Sequence, residues 1–414
     1  MKSSTWPPNE AEDVPTPNRI ATNLQDKIQR STNVNSPRSI MIVTDAWRPQ
    51  VNGVARTMEM LEAELRTLGV RSHFLTPDGY QQIPMPGYPE IRIAVASPWS
   101  VGRAIELADP EAVHIATEGP LGMLARMHCR RTGRLFTSCY HTRYPEYIAA
   151  RTPVPLAVSY AALRRFHNGA EATMVSSNAL KLELAARGFR NLVVWRRGVE
   201  TDLFAKAARA FLSLPRPIFL NVGRLAADKN VGAFLSLDLP GSKVVIGDGP
   251  NRARLEAAYP HAHFLGQRFG GELASLYASA DVFVFPSLTD TYGLVMLEAL
   301  AAGTPVAAFD VTGPREVVGD SGCGILSSDL RTAAMGALEI NRDLCRAYGA
   351  THTIRGSAEH FLEIVMTAVG ASREGNTGVT PSFAAAKVRS GLEAAKVGSS
   401  VMGSLVKGAP HNSL

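Results

Sequence analysis

No stretch of about 18 consecutive apolar residues occurs in this 414-residue sequence, so none of it reads as a helix that crosses a bilayer. The opening segment, MKSSTWPPNEAEDVPTPNRI, also lacks the apolar stretch of a signal peptide and is polar and Pro-rich. A cytoplasmic location is the resulting expectation. Cysteine is scarce: Cys129, Cys139, Cys323 and Cys345 form no CxxC or Cys/His ligand spacing, which excludes a zinc knuckle and points to reduced thiols. No G-x-G-x-x-G or Walker A pattern occurs, which argues against ordinary dinucleotide or P-loop chemistry. No Asp-x-Asp pair is present to hold a divalent metal, so no metal is expected. Charged residues make up only 19% and hydrophobic ones 45%, a balance that excludes a disordered or fibrous chain.

The length allows two or three domains. Residues 1–37 are rich in Pro, Asn, Ser and Thr, and 372–414 in Ala, Gly, Ser and Val; both read as flexible tails. Between them, short apolar runs alternate with helix-length amphipathic stretches. SIMIVT, VRSHFLT, IRIAV, AVHIA, RLFTSCY, ATMVSS and NLVVW come first, then PIFLNVG, KVVIG, AHFL, DVFVFPS and PVAAF. This is the βαβ cadence of parallel sheets covered on both faces. The cadence restarts after the polar stretch between Phe204 and Pro217, so the expected architecture is α/β, with doubly wound domains at 38–204 and 205–371 facing across a cleft. Such sheets bind ligands beyond the C-terminal ends of their strands. The last helix, SAEHFLEIVMTAV, caps the second domain or crosses back to the first; its pattern fits either.

The net charge of +6 is uneven: 38–204 holds 20 basic against 15 acidic residues, whereas 205–371 holds 14 against 16. Arg126, Arg130, Arg131, Arg134, Arg164 and Arg165, with Trp47 and Trp99 in the same half, suit an anionic membrane surface, although arginines on a helix are also an ordinary solvated face. No nucleic-acid reader motif accompanies them, so nucleic acid is not expected as a partner.

Three segments carry candidate chemistry. In TDAWRPQVNGVARTMEMLEAEL, Gly53 precedes a helix, where backbone N–H groups can approach a phosphate, or where Asn-Gly simply makes a turn. In NVGRLAADKNV, Arg224 and Lys229 follow the first strand of the second domain and can neutralise a diphosphate, unless they are ordinary loop cations. In DVFVFPSLTDTYGLVMLEALAAGTPVAAF, a strand ends at Pro286-Ser287 and Asp290 lies in the following loop. Gly293 opens a helix whose free N–H groups span Tyr292 to Val295, and Glu298 sits one to two turns in, where it can reach diol hydroxyls. The plainer reading makes Asp290 a cap and Glu298 a surface residue.

The Asp290-x7-Glu298 element, VGRLAADKN, GDGPNRARLE at 247–256 and GPREVVGDSGCGIL at 313–326 resemble the family 4 retaining glycosyltransferases of GT-B fold. TDAWRPQVNGVARTMEMLEAEL, VHIATEGPLG, SCYHTRYPEYIAAR and RRGVETDLF resemble the lipid-acting subset of that family, which includes glycosyl-diacylglycerol synthases, sulfoquinovosyl-diacylglycerol synthases and mannosyltransferases. The resemblance covers roughly 38–370. It implies that Arg224 and Lys229 hold the diphosphate of a nucleotide sugar, Glu298 its ribose and Asp290 its sugar. Tyr292, Gly293 and Leu294 would supply backbone N–H groups, Gly53 would approach from the other domain, and His141 would lie near the sugar. Asp290 stands where the family usually has Glu, a shorter reach. The implied reaction is metal-independent transfer, with retention, of a hexosyl or uronosyl group to a membrane lipid such as diacylglycerol, by an enzyme attached peripherally to the inner membrane. A UDP-sugar donor is favoured over GDP-mannose. A mannosyltransferase, a glycan-building enzyme and a UDP-sugar epimerase of the same fold are the alternatives. His114 and His167 read as structural, Glu118 as an acceptor contact or a helix cap, and Tyr144 and Glu146 as residues of the acceptor side.

Overall fold

The computed structural model describes residues 39–375 apart from 49, 51, 52, 86, 87, 150, 151 and 210–212. The tail expected at 1–37 lies outside the described residues, as does that expected at 372–414 apart from residues 372–375, which are helical.

In the first lobe, β1 (Ser39–Val43) and β2 (Arg71–Leu75) precede a hairpin, β3 (Gln81–Met85) and β4 (Tyr88–Val95). Then follow β5 (Ala112–Ile115), β6 (Phe136–Cys139), β7 (Ala172–Val175) and β8 (Leu192–Val194). Hairpin aside, the strands form a parallel sheet in the order β2-β1-β5-β6-β7-β8. Strands β1, β5, β6 and β7 are buried along their whole length, as strands covered on both faces must be. The helices are α1 (Gly53–Thr67), α2 (Pro98–Ala108), α3 (Pro120–Thr132), α4 (Tyr144–Ala149), α5 (Leu156–His167) and α6 (Asn178–Ala186). Helix α1 buries Ala55, Met58, Leu61 and Leu65, spacings of three and four that place one stripe on the sheet.

The run IRIAV departs from the parallel cadence. It lies in β4 and pairs antiparallel with β3. A parallel connection needs a crossover of a dozen or more residues, usually a helix, and only residues 86 and 87 separate β3 from β4.

The second lobe opens with α7 (Thr201–Ala205) and contains β9 (Ile218–Val222), β10 (Ser242–Ile246), β11 (His263–Gly266), β12 (Val282–Phe285), β13 (Val306–Phe309) and β14 (Gly324–Ser327). These pair in parallel in the order β11-β10-β9-β12-β13-β14. Its other helices are α8 (Val231–Leu235), α9 (Arg252–Ala258), α10 (Gly270–Ser279), α11 (Leu294–Ala301), α12 (Thr312–Val317), α13 (Leu330–Gly336) and α14 (Arg342–Ala350), and the chain continues into α15 (Ile354–Gly375). Each sheet reverses its winding once, between β1 and β5 and between β9 and β12. In doubly wound sheets ligands bind at such points, beyond the C-terminal ends of the strands.

The chain crosses between lobes twice, side by side. The Val199 amide donates to the His352 carbonyl at 2.9 Å and the Ile354 amide to the Val199 carbonyl at 3.1 Å. A Cβ on Gly198 would stand 2.1 Å from the Thr353 carbonyl oxygen, so only glycine permits this approach. Both expected domain limits shift accordingly. Val199 and Phe204 belong to the second lobe's core rather than to 38–204. Helix α15 leaves 205–371 and packs Phe361, Leu362 and Val365 against Ile40, Ile42 and Met58 of the first lobe. The Trp195 indole N–H donates to the Ser357 carbonyl at 2.9 Å and fixes the helix there. No helix among the described residues is long and apolar enough to cross a membrane.

Candidate active site

Strand β9 delivers the loop 223–230 to the second lobe's switch point, and β12 delivers 286–293 beside it. Arg224 pairs with Asp228 at 3.1 Å, and Lys229 bonds directly to Asp290. The loops are tied by Asn230 Nδ2 donating to the Pro286 carbonyl (3.1 Å) and Ser287 Oγ donating to the Asp228 carbonyl (3.2 Å). Arg224, Lys229 and Asp290 are therefore brought together, with side chains 29%, 27% and 21% exposed, so each can reach a ligand. Gly293 starts α11 at φ 95°, a conformation that favours glycine, and a Cβ there would meet Met296 Cε at 2.7 Å. Among the described residues no side chain caps α11, and its first amides follow directly on the 286–293 loop.

The neighbouring acid is placed differently. Helix α11 buries Met296 through Ala301, so Glu298 is a charge within an apolar helix and needs partners. Its Oε2 accepts from the Tyr277 hydroxyl at 3.0 Å, and its Oε1 pairs with Arg56 of α1 at 3.1 Å. Burial raises its pKa, against the pull of Arg56 and Tyr277. The surface-residue reading of Glu298 is thus excluded: the carboxylate lies at the junction of the lobes, held from the opposite side. Sequence reasoning passed over Arg56, although a cation in the first turn of a helix opposes the helix dipole and calls for an external partner. Gly53 begins the same helix, exposed, with open space where a Cβ would stand.

The first lobe meets the Asp290 loop at the ends of β6 and β7. Thr291 Oγ1 donates to the His141 carbonyl at 3.1 Å, and Ser176 Oγ donates to the Thr291 carbonyl at 3.1 Å. These bonds place His141 next to Asp290. The His141 ring lies 3.4 Å from Arg197 at Nδ1, and its buried Nε2 has no partner among the described residues. Burial, then the charge of Arg197, hold its pKa well below the usual histidine range, so the imidazole is neutral. Arg197, in the segment RRGVETDLF, is the second residue that sequence reasoning did not single out.

The remaining candidates separate cleanly. Asp45, pushed up in pKa by burial, accepts from the amides of Leu121 (2.9 Å) and Gly122 (3.3 Å) and thereby caps α3. Glu118 is consequently not the cap; it bonds His167 Nε2 at 2.9 Å, and His167 Nδ1 bonds Ser138 at 3.0 Å. His114, bonded to Thr137 at 2.9 Å, is kept neutral by burial with a pKa of about 3, as a structural histidine would be. Glu146 accepts from Tyr160 rather than facing open space, while Tyr144 is exposed. Of the basic cluster, Arg126 and Arg134 are staples to backbone carbonyls, at 3.0 Å to Phe166 and 2.6 Å to Pro110. Arg130, Arg131 and Arg165 are exposed.

Comparison with known proteins agrees with this layout. Residues 51–203 match the model described as Glycosyltransferase Family 4, and 216–342 the model described as Glycosyl transferases group 1. A GDP-mannose-dependent alpha-mannosyltransferase of Mycobacterium tuberculosis is 33% identical over 69% of this chain and 83% of its own. An alpha-monoglucosyldiacylglycerol synthase of Streptococcus pneumoniae is 26% identical over 78% and 83%. Among solved structures, Anabaena Alr3699/HepE in complex with UDP superimposes with a TM-score of 0.61 at 14% identity, covering 80% of this chain and all of that one. Two Rossmann-like lobes, cations and an acid converging at the second switch point, and these matches establish the chain as a glycosyltransferase of family 4 with the GT-B fold.

Proposed function

We propose that the protein transfers a hexosyl or uronosyl group from a nucleoside-diphosphate sugar to the hydroxyl of a membrane lipid, with retention and without a divalent metal. The observation that carries this reading is the convergence of Arg224, Lys229 and Asp290 at the β9/β12 switch point, directly opposite His141. Breaking the anomeric C–O bond leaves negative charge on the diphosphate and positive charge on an oxocarbenium-like sugar. Arg224, Lys229 and the first amides of α11 answer the former; preorganised donors of this kind are worth roughly 3–4 kcal/mol each. Asp290 faces the sugar. The acceptor hydroxyl attacks from the side of the departing diphosphate and gives its proton to a phosphate oxygen, so that bond and proton balance. Glu298 takes the ribose hydroxyls once Arg56 yields part of its hold, a carboxylate having lone pairs for more than two partners.

Two observations support a lipid acceptor. The pneumococcal relative is named for a diacylglycerol product. The first lobe also exposes Trp99 (71%), Met123 (55%) and Met127 (37%) on α2 and α3, helices that pack together, with Arg130 and Arg131 at the end of α3. Apolar anchors rimmed by arginines fit an anionic membrane surface, and peripheral attachment to the inner face of the membrane is the corresponding location. For the donor, the mannosyltransferase relative speaks for GDP-mannose, whereas UDP-sugars remain the reading from sequence. Purified protein incubated with single UDP- and GDP-sugars and mixed anionic vesicles is expected to yield one new glycolipid, identified by mass after extraction. Free-sugar epimerisation without any new lipid would contradict the reading.

A further inference from the structure

Arg197 is 6% exposed, and among the described residues no carboxylate pairs with it. Glu298, also buried, has Arg56, and Glu118 has His167. The guanidinium of Arg197 stacks 3.9 Å from the Trp195 ring centroid. One of its terminal nitrogens reaches Cys139 Sγ at 3.5 Å and His141 Nδ1 at 3.4 Å; the other, Nη1, is buried with no hydrogen-bond partner among the described residues.

None of these neighbours supplies negative charge. Burial pushes the Cys139 thiol up to about 11, holds His141 neutral, and raises Tyr292, on the facing loop, so that it keeps its proton. A small cavity reaches Arg197 between Thr57 of α1 and Leu294 at the start of α11. Taking a charge out of water without a counter-charge is strongly unfavourable, and a water molecule in that cavity could satisfy one N–H but not the charge. An arginine held this way beside the amides of α11 is a cation prepared for an anion that is not part of the chain.

We infer that Arg197, with His141, forms an anion subsite of the donor pocket that binds an oxyanion carried by the nucleotide sugar, either on its diphosphate or as the carboxylate of an acidic sugar. The inference rests on the nucleotide-sugar reading of the same site, and it adds a specificity-determining residue to that reading.

The test compares wild type with Arg197→Met and Arg197→Lys. Thermal stability without ligand and affinities for inorganic pyrophosphate, UDP, GDP, UDP-glucose and UDP-glucuronate are measured. Arg197→Met is expected to be no less stable than wild type without ligand, because it removes an uncompensated buried charge. Its affinity for the oxyanion is expected to fall roughly 10- to 150-fold, the range for a charge-assisted hydrogen bond, with Arg197→Lys between the two. Equal weakening of pyrophosphate and every nucleotide identifies the diphosphate as the source, and weakening of UDP-glucuronate alone identifies the sugar carboxylate. Unchanged affinities, with or without a loss of stability, overturn the subsite and make Arg197 a structural cation. If wild type binds no nucleotide, the proposed function falls, while pyrophosphate still decides the subsite: it stands only if pyrophosphate stabilises wild type and not Arg197→Met.

Discussion

Replacing Arg56 by methionine removes the cation that holds Glu298 across the lobe junction. Breaking a buried ion pair costs about 3–5 kcal/mol. Arg56 is 34% exposed, so water already carries part of its charge, and we expect a loss of about 2 kcal/mol near neutral pH. The sign of the pH dependence follows from Glu298. Burial raises its folded pKa above that of the unfolded chain, with Arg56 pulling it partly back. A carboxyl raised on folding contributes its stability below the unfolded pKa and loses it as pH rises through the folded one. Without Arg56 the folded value climbs further, so the deficit of the variant grows with pH. Urea midpoints at about pH 5 and about pH 8 should show a small difference from wild type at the lower pH and the full one at the higher. Adding Glu298→Gln, which keeps a partner for Tyr277 but carries no charge, should recover most of the loss. A deficit that is the same at both pH values, or no recovery in the double variant, would refute the coupling.

Other consequences can be checked separately. Asp290→Asn should slow transfer about tenfold or more while leaving the affinity for sugar-free nucleoside diphosphate close to wild type, because the proposed function gives Asp290 the sugar and leaves the diphosphate to Arg224 and Lys229; steady-state kinetics and calorimetry measure the two effects. Asp45→Ala should cost about 1–2 kcal/mol in urea unfolding through loss of the α3 cap, with donor affinity unchanged. Trp99→Glu combined with Met123→Glu should weaken co-sedimentation with anionic vesicles several-fold, and unaltered, salt-insensitive co-sedimentation would contradict docking by that face.

Much of the candidate site was legible in the sequence because its parts sit at strand ends. Arg224 and Lys229 follow β9 directly, Asp290 follows β12, and short apolar strands next to polar loops mark such positions in any doubly wound sheet. What could not be read was pairing between distant segments. Arg56 and Glu298 belong to opposite lobes, and nothing local to either residue names the other. Arg197 is conspicuous only once its lack of an acid is visible in three dimensions. The same limit applies to the fold. The run IRIAV reads as a strand whichever direction its partner takes, and only the shortness of the preceding connection makes it antiparallel. Strand β14, in a Gly-rich segment with little apolar alternation, gave no signal. Helix α15 announced a buried stripe, yet a stripe does not say which lobe covers it, and the crossing at Gly198 depends on backbone contact that composition cannot reveal.

The most direct measurement of the central claim is a calorimetric titration of UDP and of GDP, in the presence of EDTA, into wild type and into the Arg224→Ala/Lys229→Ala double variant. At least one of the two nucleotides is expected to bind wild type without metal, and the double variant to lose about a hundredfold or more in affinity. Binding by the variant equal to that of wild type, or binding that appears only when a divalent ion is restored, would contradict the claim.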